Sequence, residues 1–253
     1  MTAVLEVRGV SRSFGRLRAV ADVSTSVEEG ELRGLIGPNG AGKTTLINVL
    51  TGFIPASAGS VLLDGTRIDS RPAHARVRAG LGRTFQTPQL SAAMTVLDNI
   101  VVGAHHRLGC AHFRNLLPGR RRTSLRALRD EAAAIGTDVG LGDALDVEAG
   151  ALSYGHMRLL EIARALMGRP RLLLLDEPIA GMNEAESEPV GRLIRAVAAR
   201  GTSVMLVEHD MSFVMGVCDR ITVLDHGVLL AEGTPHEVRE DRRVQEAYLG
   251  AGA

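Results

Sequence analysis

The chain has 253 residues and 26.9 kDa, and its 29 basic and 29 acidic side chains leave a formal charge of zero, which argues against wholesale binding of nucleic acid or an anionic membrane. Its length allows one large domain or two small ones, and its 45% of apolar residues can supply a core. No apolar run approaches the roughly 20 residues that span a bilayer, Glu6 and Arg8 interrupt the N-terminus where a signal peptide would be apolar, and Cys110 and Cys218 form no CxxC pair, so a reduced, cytoplasmic chain is expected.

In chain order, the first clear element is a short strand at Arg33-Gly34-Leu35-Ile36. It runs into Gly37-Pro38-Asn39-Gly40-Ala41-Gly42-Lys43-Thr44, which fits G-x-x-x-x-G-K-[ST] at every fixed position. Lys43 is the only lysine among the 29 basic residues, in a chain that uses arginine everywhere else. A helix from Lys43 to Leu50 should follow and end near Gly52. Leu81 to Phe85 is a weaker strand that stops at Gln86. Thr95 to Ala104 and Ser124 to Ile135 read as helices, with Gly136 and Gly140 as punctuation. After Leu152, Ser153 is placed to cap a helix whose apolar stripe is Leu159, Leu160, Ile162, Ala163, Leu166 and Met167. Arg171 to Leu175 is a continuous apolar run, the pattern of a strand buried on both faces of a parallel sheet, and it stops at Asp176-Glu177-Pro178. Ser203 to Val207 does the same and stops at Glu208-His209-Asp210. Asp219 to Glu232, with an Asp225-His226-Gly227 turn, reads as a hairpin.

In an open α/β sheet ligands bind beyond the carboxyl ends of the strands, so these strand ends should converge on one site. The glycines of residues 37–42 let backbone N–H groups approach phosphate oxygens, and the helix N-terminus adds partial positive charge. Lys43 would bridge the β- and γ-phosphates of a nucleotide while the Thr44 hydroxyl ligates Mg²⁺. Asp176 is placed to hold the metal's shell and Glu177 to polarise the attacking water as general base. Gln86 would sense the metal and its water, and His209 would donate a hydrogen bond to the γ-phosphate. The N-terminus of the helix capped by Ser153 is a second anion site.

With these residues in place, the chain resembles the nucleotide-binding subunits of ABC transporters over essentially its whole length. Leu152-Ser153-Tyr154-Gly155-His156 stands where that family has its LSGGQ signature. The resemblance implies an α/β P-loop NTPase fold: a RecA-like core of mainly parallel sheet with N-terminal antiparallel strands, residues 1–87 and 168–253, interrupted by a helical signature subdomain, residues 88–167. It implies that Gly37 to Thr45 bind ATP, with Phe14 as the adenine-stacking aromatic. Ser153, Tyr154, Gly155 and His156 would contact ATP held by a second ATPase subunit, either another copy or a paralogue. Ala180-Gly181-Met182-Asn183 looks like the D-loop, with Asn where many members carry Asp; Gln86 looks like the Q-loop glutamine and His209 like the switch histidine. Membrane permease subunits are implied as partners, with the segment after Gln86, including Leu90 and Met94, receiving them at the cytoplasmic face of the membrane. No nucleic-acid partner is implied.

Tyr154, the phrase EIARALMGRP, AGMN, VEHDMSFVM and the terminal AYLG are similar to the ATPase subunit of branched-chain amino-acid importers, in which the solute meets a periplasmic or extracellular binding protein and the permeases rather than the ATPase. The solute itself is not readable, and an exporter ATPase, for instance one handling lipid, or a soluble non-transport ATPase remain open. His156 departs from the family's Gln. Its protonation would bring positive charge to the partner's nucleotide and make turnover pH-sensitive. Arg114, Arg120, Arg121, Arg122, Arg126 and Arg129 read as a solvated basic stretch or a contact with anionic headgroups. His105, His106, Cys110 and His112 have metal-ligand chemistry but no closed zinc spacing.

Overall fold

The computed structural model describes residues 3–107 and 118–249. Cys110, His112 and Arg114 therefore lie outside the described residues, as do the side chains of Arg120 to Arg122.

Two long strands, β1 (Ala3–Phe14) and β2 (Leu17–Glu28), form an antiparallel hairpin. β3 (Leu32–Ile36) then leaves for a second sheet and runs into helix α1 (Lys43–Thr51). The chain returns through β4 (Ala58–Leu63) and β5 (Thr66–Arg67), so the first sheet has the order β2-β1-β4-β5. Next come α2 (Ala73–Arg78) and β6 (Leu81–Arg83), and then the helical stretch α3 (Val96–Val102), α4 (Pro118–Asp138) and α5 (Tyr154–Leu166). The remainder alternates: β7 (Leu172–Asp176), α6 (Glu184–Ala199), β8 (Ser203–Val207), α7 (Met211–Val217), β9 (Arg220–Asp225), β10 (Val228–Gly233), α8 (Pro235–Glu240) and α9 (Arg242–Leu249).

The second sheet has the order β10-β9-β3-β8-β7-β6, with every pairing parallel except β9–β10. Every residue of β3, β7 and β8 is buried, which is why these pentads read as unbroken apolar runs. Register does the positioning. Leu35 of β3 lies level with Val207 of β8, and Val207 with Asp176 of β7. The residues that follow, Gly37, Glu177 and Glu208, therefore emerge along one edge.

Three apolar clusters hold the molecule. One lies between the antiparallel sheet, α1 and one face of the parallel sheet, through Val7, Val23, Leu46, Leu50 and Leu174. A second covers the other face with Ile194, Val214 and Val238, and a third joins α3, α4 and α5 through Ile100, Leu128, Ala132 and Leu160. The apolar stripe of α5 serves two of these clusters: Leu160 and Ala163 enter the helical one, while Ile162 packs beside Leu173 and Ile179.

Several boundaries differ from the sequence reading. The weak strand ends at Arg83: Thr84 still donates to Leu174 O at 3.0 Å, but the Phe85 N–H turns to the Glu161 carboxylate on α5 at 2.9 Å, which peels the chain off the sheet. Gly136 does not end a helix but lies inside α4, where a Cβ would come within 2.6 Å of Leu145 Cδ2, so its absence permits close packing. α3 is shorter than expected because Thr95 is its N-cap, accepting from Asp98 N at 3.1 Å. The hairpin forms with His226 (φ 44°) and Gly227 (φ 81°) as its two turn residues, both left-handed as a type I′ turn requires.

Candidate functional site

The loop between β3 and α1 needs its glycines for steric reasons. A Cβ on Gly37 would sit 2.1 Å from Leu224 O, and one on Gly42 (φ 97°) would sit 2.4 Å from Ala19 O. α1 has no side-chain cap and no acidic residue in its first turn, so its leading N–H groups keep their appetite for an anion. The buried Lys43 ammonium donates to Gly37 O at 2.6 Å and Pro38 O at 3.1 Å. Burial lowers its pKa, against the opposing pull of the Glu177 and Asp176 carboxylates. A buried cation, a glycine cradle and an open helix start together fit a polyphosphate.

Asp176 ends β7 with its Oδ2 accepting from Arg83 at 3.0 Å and its N–H donating to Thr84 Oγ1 at 3.3 Å. Arg83 also donates to Asn48 Oδ1 at 2.7 Å and Thr51 Oγ1 at 3.0 Å on α1, and its guanidinium lies against the Phe53 and Phe85 rings. One arginine thus locks the helix after the glycine loop to the acidic strand end. Sequence reasoning passed it over; the available signal was a charged residue ending an otherwise apolar strand.

Glu177 holds φ at 49°, a left-handed backbone costing of order 1–3 kcal/mol in a non-glycine residue, fixed by its N–H bond to Val207 O at 2.9 Å. Its Oε2 accepts from Gln86 Nε2 at 3.0 Å. Lys43, Asp176, Glu177 and Gln86 are therefore brought together. His209 sits on the next strand end with its ring exposed and Nδ1 3.7 Å from Glu208 Oε2. Glu208, also missed, is fully buried and accepts from Ile179 N at 3.1 Å and His209 N at 3.2 Å. Burial pushes its carboxyl above the usual range, with the nearby Glu177 charge adding to the rise and the two N–H donors and the His209 charge opposing it. It ties the loop carrying His209 to the segment leading into Ala180.

Ser153 caps α5, its hydroxyl accepting from His156 N at 3.3 Å, and Ser153, Tyr154 and His156 are exposed. Tyr154 adjoins Gly181, and Gly155 adjoins Met182, within the same chain. Asn183 closes a capping box on α6 with Glu186, its Oδ1 accepting at 3.1 Å while its N–H donates to the Glu186 carboxylate at 3.0 Å. No hydrogen bond among the described residues joins residues 153–156 to the 37–44 loop. Phe14 is 46% exposed under the Arg12 guanidinium, 4.6 Å from its centroid, and so is not a core residue. Thr44 is exposed and Thr45 half-buried, while Leu90 packs against the helical cluster and Met94 is half-buried. The His105 and His106 rings meet edge to face at 5.5 Å, and no group of three metal-ligating side chains occurs among the described residues.

Comparison with known proteins places the chain in a family. Residues 20–180 match the ABC transporter family model, and residues 228–253 match that of the branched-chain amino acid ATP-binding cassette transporters. The high-affinity branched-chain amino acid transport ATP-binding protein BraF of Pseudomonas aeruginosa is 42% identical over 250 residues, 98% of each chain. The lipopolysaccharide export system ATP-binding protein LptB of Escherichia coli is 33% identical over 248 residues, again 98% of each. Among solved structures, the ADP conformation of MJ1267, an ATP-binding cassette of an ABC transporter, superposes with a TM-score of 0.86 at 33% identity, covering 99% of this chain and 100% of that one. The match at residues 20–180 and the identity to such relatives along nearly the whole length make this chain a member of the ABC transporter family, an ATPase of its ATP-binding proteins.

Proposed function

We propose that this ATPase powers an importer of branched-chain amino acids or related small polar solutes, acting at the cytoplasmic face of the membrane beside permease subunits that receive solute from an extracellular or periplasmic binding protein. The observation that carries the catalytic part is the convergence of Lys43, Asp176, Glu177 and Gln86 on one strand edge. The importer part rests on the match at residues 228–253 and on 42% identity to BraF, against 33% to the export ATPase LptB.

In this reading Gly37 to Thr45 hold the phosphates, Phe14 stacks on the adenine, and Thr44, Asp176 and Gln86 hold Mg²⁺. ATP supplies the phosphoanhydride that is cleaved, and Mg²⁺ neutralises its charge. Glu177 takes the proton of the attacking water through the carboxylate that Gln86 orients, and His209 donates a hydrogen bond from the neighbouring strand end. Residues 1–87 and 168–253 act as one core and 88–167 as a helical insert, a division supported by the separate cluster of α3, α4 and α5. Among the described residues no helix is long and apolar enough to cross a membrane, so attachment falls to the permeases, with Leu90 and Met94 in the receiving segment.

The test is Glu177→Gln, which should keep ATP binding within a few-fold and lower turnover at least about 100-fold, since general bases contribute roughly 10²–10⁴. Leucine uptake by cells carrying the chain together with the permease subunits it energises should fall in parallel. Steady-state hydrolysis near the parent rate would reject Glu177 as the base, and uptake of no branched-chain or small polar solute would reject the importer.

A further inference from the structure

We infer that Arg158 is a positioning residue that ties the Tyr154 phenol to the backbone of Gln86, so that whatever engages the exposed Tyr154 face alters how Gln86 meets Glu177. This rests on the assignment of Glu177 as the base.

Arg158 lies one helical turn after Tyr154 on α5, so the two side chains share a face. Its guanidinium is 2% exposed and is almost wholly committed. Nη1 donates to Phe85 O at 2.7 Å and lies 3.5 Å from Glu161 Oε2. Nη2 donates to Gln86 O and to the Tyr154 hydroxyl, the latter at 2.7 Å, and the Tyr154 ring centre is 5.1 Å from Cζ. Glu161 takes the Phe85 N–H at 2.9 Å. Two side chains of α5 therefore hold both backbone polar groups of Phe85 and the carbonyl of Gln86. Gln86 spends its own side chain on Glu177, at 3.0 Å.

The path is contiguous: phenol, guanidinium, Gln86 carbonyl, Gln86 carboxamide, Glu177 carboxylate. A purely structural tie between α5 and the end of β6 would be complete with the bonds to Phe85. This one continues at both ends to exposed groups, since Tyr154 is 46% exposed and Gln86 is exposed too. Arg158 Nε is buried without a partner, a cost accepted by a fork whose terminal nitrogens are aimed at the loop and the phenol. The planar fork reaches Phe85 O through Nη1 and both Gln86 O and the phenol through Nη2, a spread over two fixed nitrogens that the single ammonium of lysine does not reproduce. Tyr154 also lies near Gly181, where a Cβ would come within 3.9 Å of its ring, so the 180–183 segment runs past the same phenol.

The experiment uses the full chain with two readouts. Without nucleotide, amide hydrogen exchange over residues 85–89 should speed about tenfold in Tyr154→Phe, which keeps the ring and loses only the hydroxyl, while α1 keeps its protection. With Mg²⁺ and ATP, Tyr154→Phe should lower kcat about 3–10-fold with KM for ATP within about twofold, and adding it to Gln86→Ala should lower kcat no further, because both changes break one path. Arg158→Lys should exceed Tyr154→Phe in exchange rate. Should Arg158→Lys fail to fold, Tyr154→Phe, a loss of one hydroxyl on a half-exposed ring, carries the same test. Parental exchange over 85–89 in Tyr154→Phe, or kcat losses from Tyr154→Phe and Gln86→Ala that multiply in the double variant, would overturn the inference. Turnover retained by Glu177→Gln would instead strike the base assignment and leave the exchange result to judge the tie.

Discussion

Lys43 is held in the glycine loop at a cost to the fold. Its ammonium is buried among carbonyls in a loop whose burial lowers its pKa. For a lysine the sign is unfavourable: with the folded pKa below the unfolded one, stability is reduced at neutral pH and recovers only as pH rises through the folded value. Lys43→Ala should therefore leave the nucleotide-free melting temperature within about 3 °C of the parent, while ATP affinity falls roughly 10–100-fold, the worth of a charged hydrogen-bond donor. Thermal melts with and without ATP, together with a binding titration, check both halves. Lys43, Asp176, Glu177 and Gln86 were legible because a lone lysine in a glycine loop and apolar runs halted by polar residues are one-dimensional signals. The left-handed backbone of Glu177, the clamp of Arg83 on Asp176 and the burial of Glu208 were not, since each depends on which strands become neighbours.

Elements bring those residues into range, and a single arginine in β3 joins the two sheets that frame them. Arg33 is 2% exposed and pairs with Glu31 at 2.7 Å and Glu232 at 2.9 Å, while Thr25 of β2 donates to Glu232 at 2.7 Å. Burial alone would raise the Glu232 carboxyl, but the hydrogen bonds from Thr25 and Arg33 outweigh it and hold it below its ordinary value. A depressed carboxylate contributes stability that is full above its unfolded pKa, about 4.3, and is lost as pH falls through the folded value. Arg33→Met should thus cost about 3–5 kcal/mol at pH 7, by stranding the Glu232 carboxylate, and less near pH 4, where Glu232, without the arginine that holds its carboxyl down, takes up a proton more readily. Denaturant unfolding at the two pH values measures the difference. The sequence marked Arg33 only as the start of a strand. The pentads β7 and β8 were readable from composition, and the hairpin from its turn residues. The true extent of α4 and the two-sided burial of α5 were not, because a helix packed against two cores shows one broad stripe and does not say which residue serves which.

At the scale of the whole molecule, one chain carries two surfaces suited to phosphate and does not join them. The glycine loop presents exposed Asn39, Gly40 and Thr44, and the N-terminus of α5 presents exposed Ser153, Tyr154 and His156. A two-fold pairing would place each loop opposite the capped helix of a second subunit and complete two sites at once, and only such a closed arrangement satisfies both surfaces with one interface. If nucleotide is the glue, Glu177→Gln with ATP and Mg²⁺ should elute with about twice the 26.9 kDa mass of one chain. The informative partner variant is Ser153→Asp. Aspartate caps a helix as well as serine, so α5 should hold, but its charge would face the phosphates bound by the second subunit. Combined with Glu177→Gln it should remain monomeric by light scattering while still binding ATP at the Lys43 loop. A doubled mass for the Ser153→Asp, Glu177→Gln chain would mean that the capped helix lies outside the interface, and the pairing would have to be sought on another face.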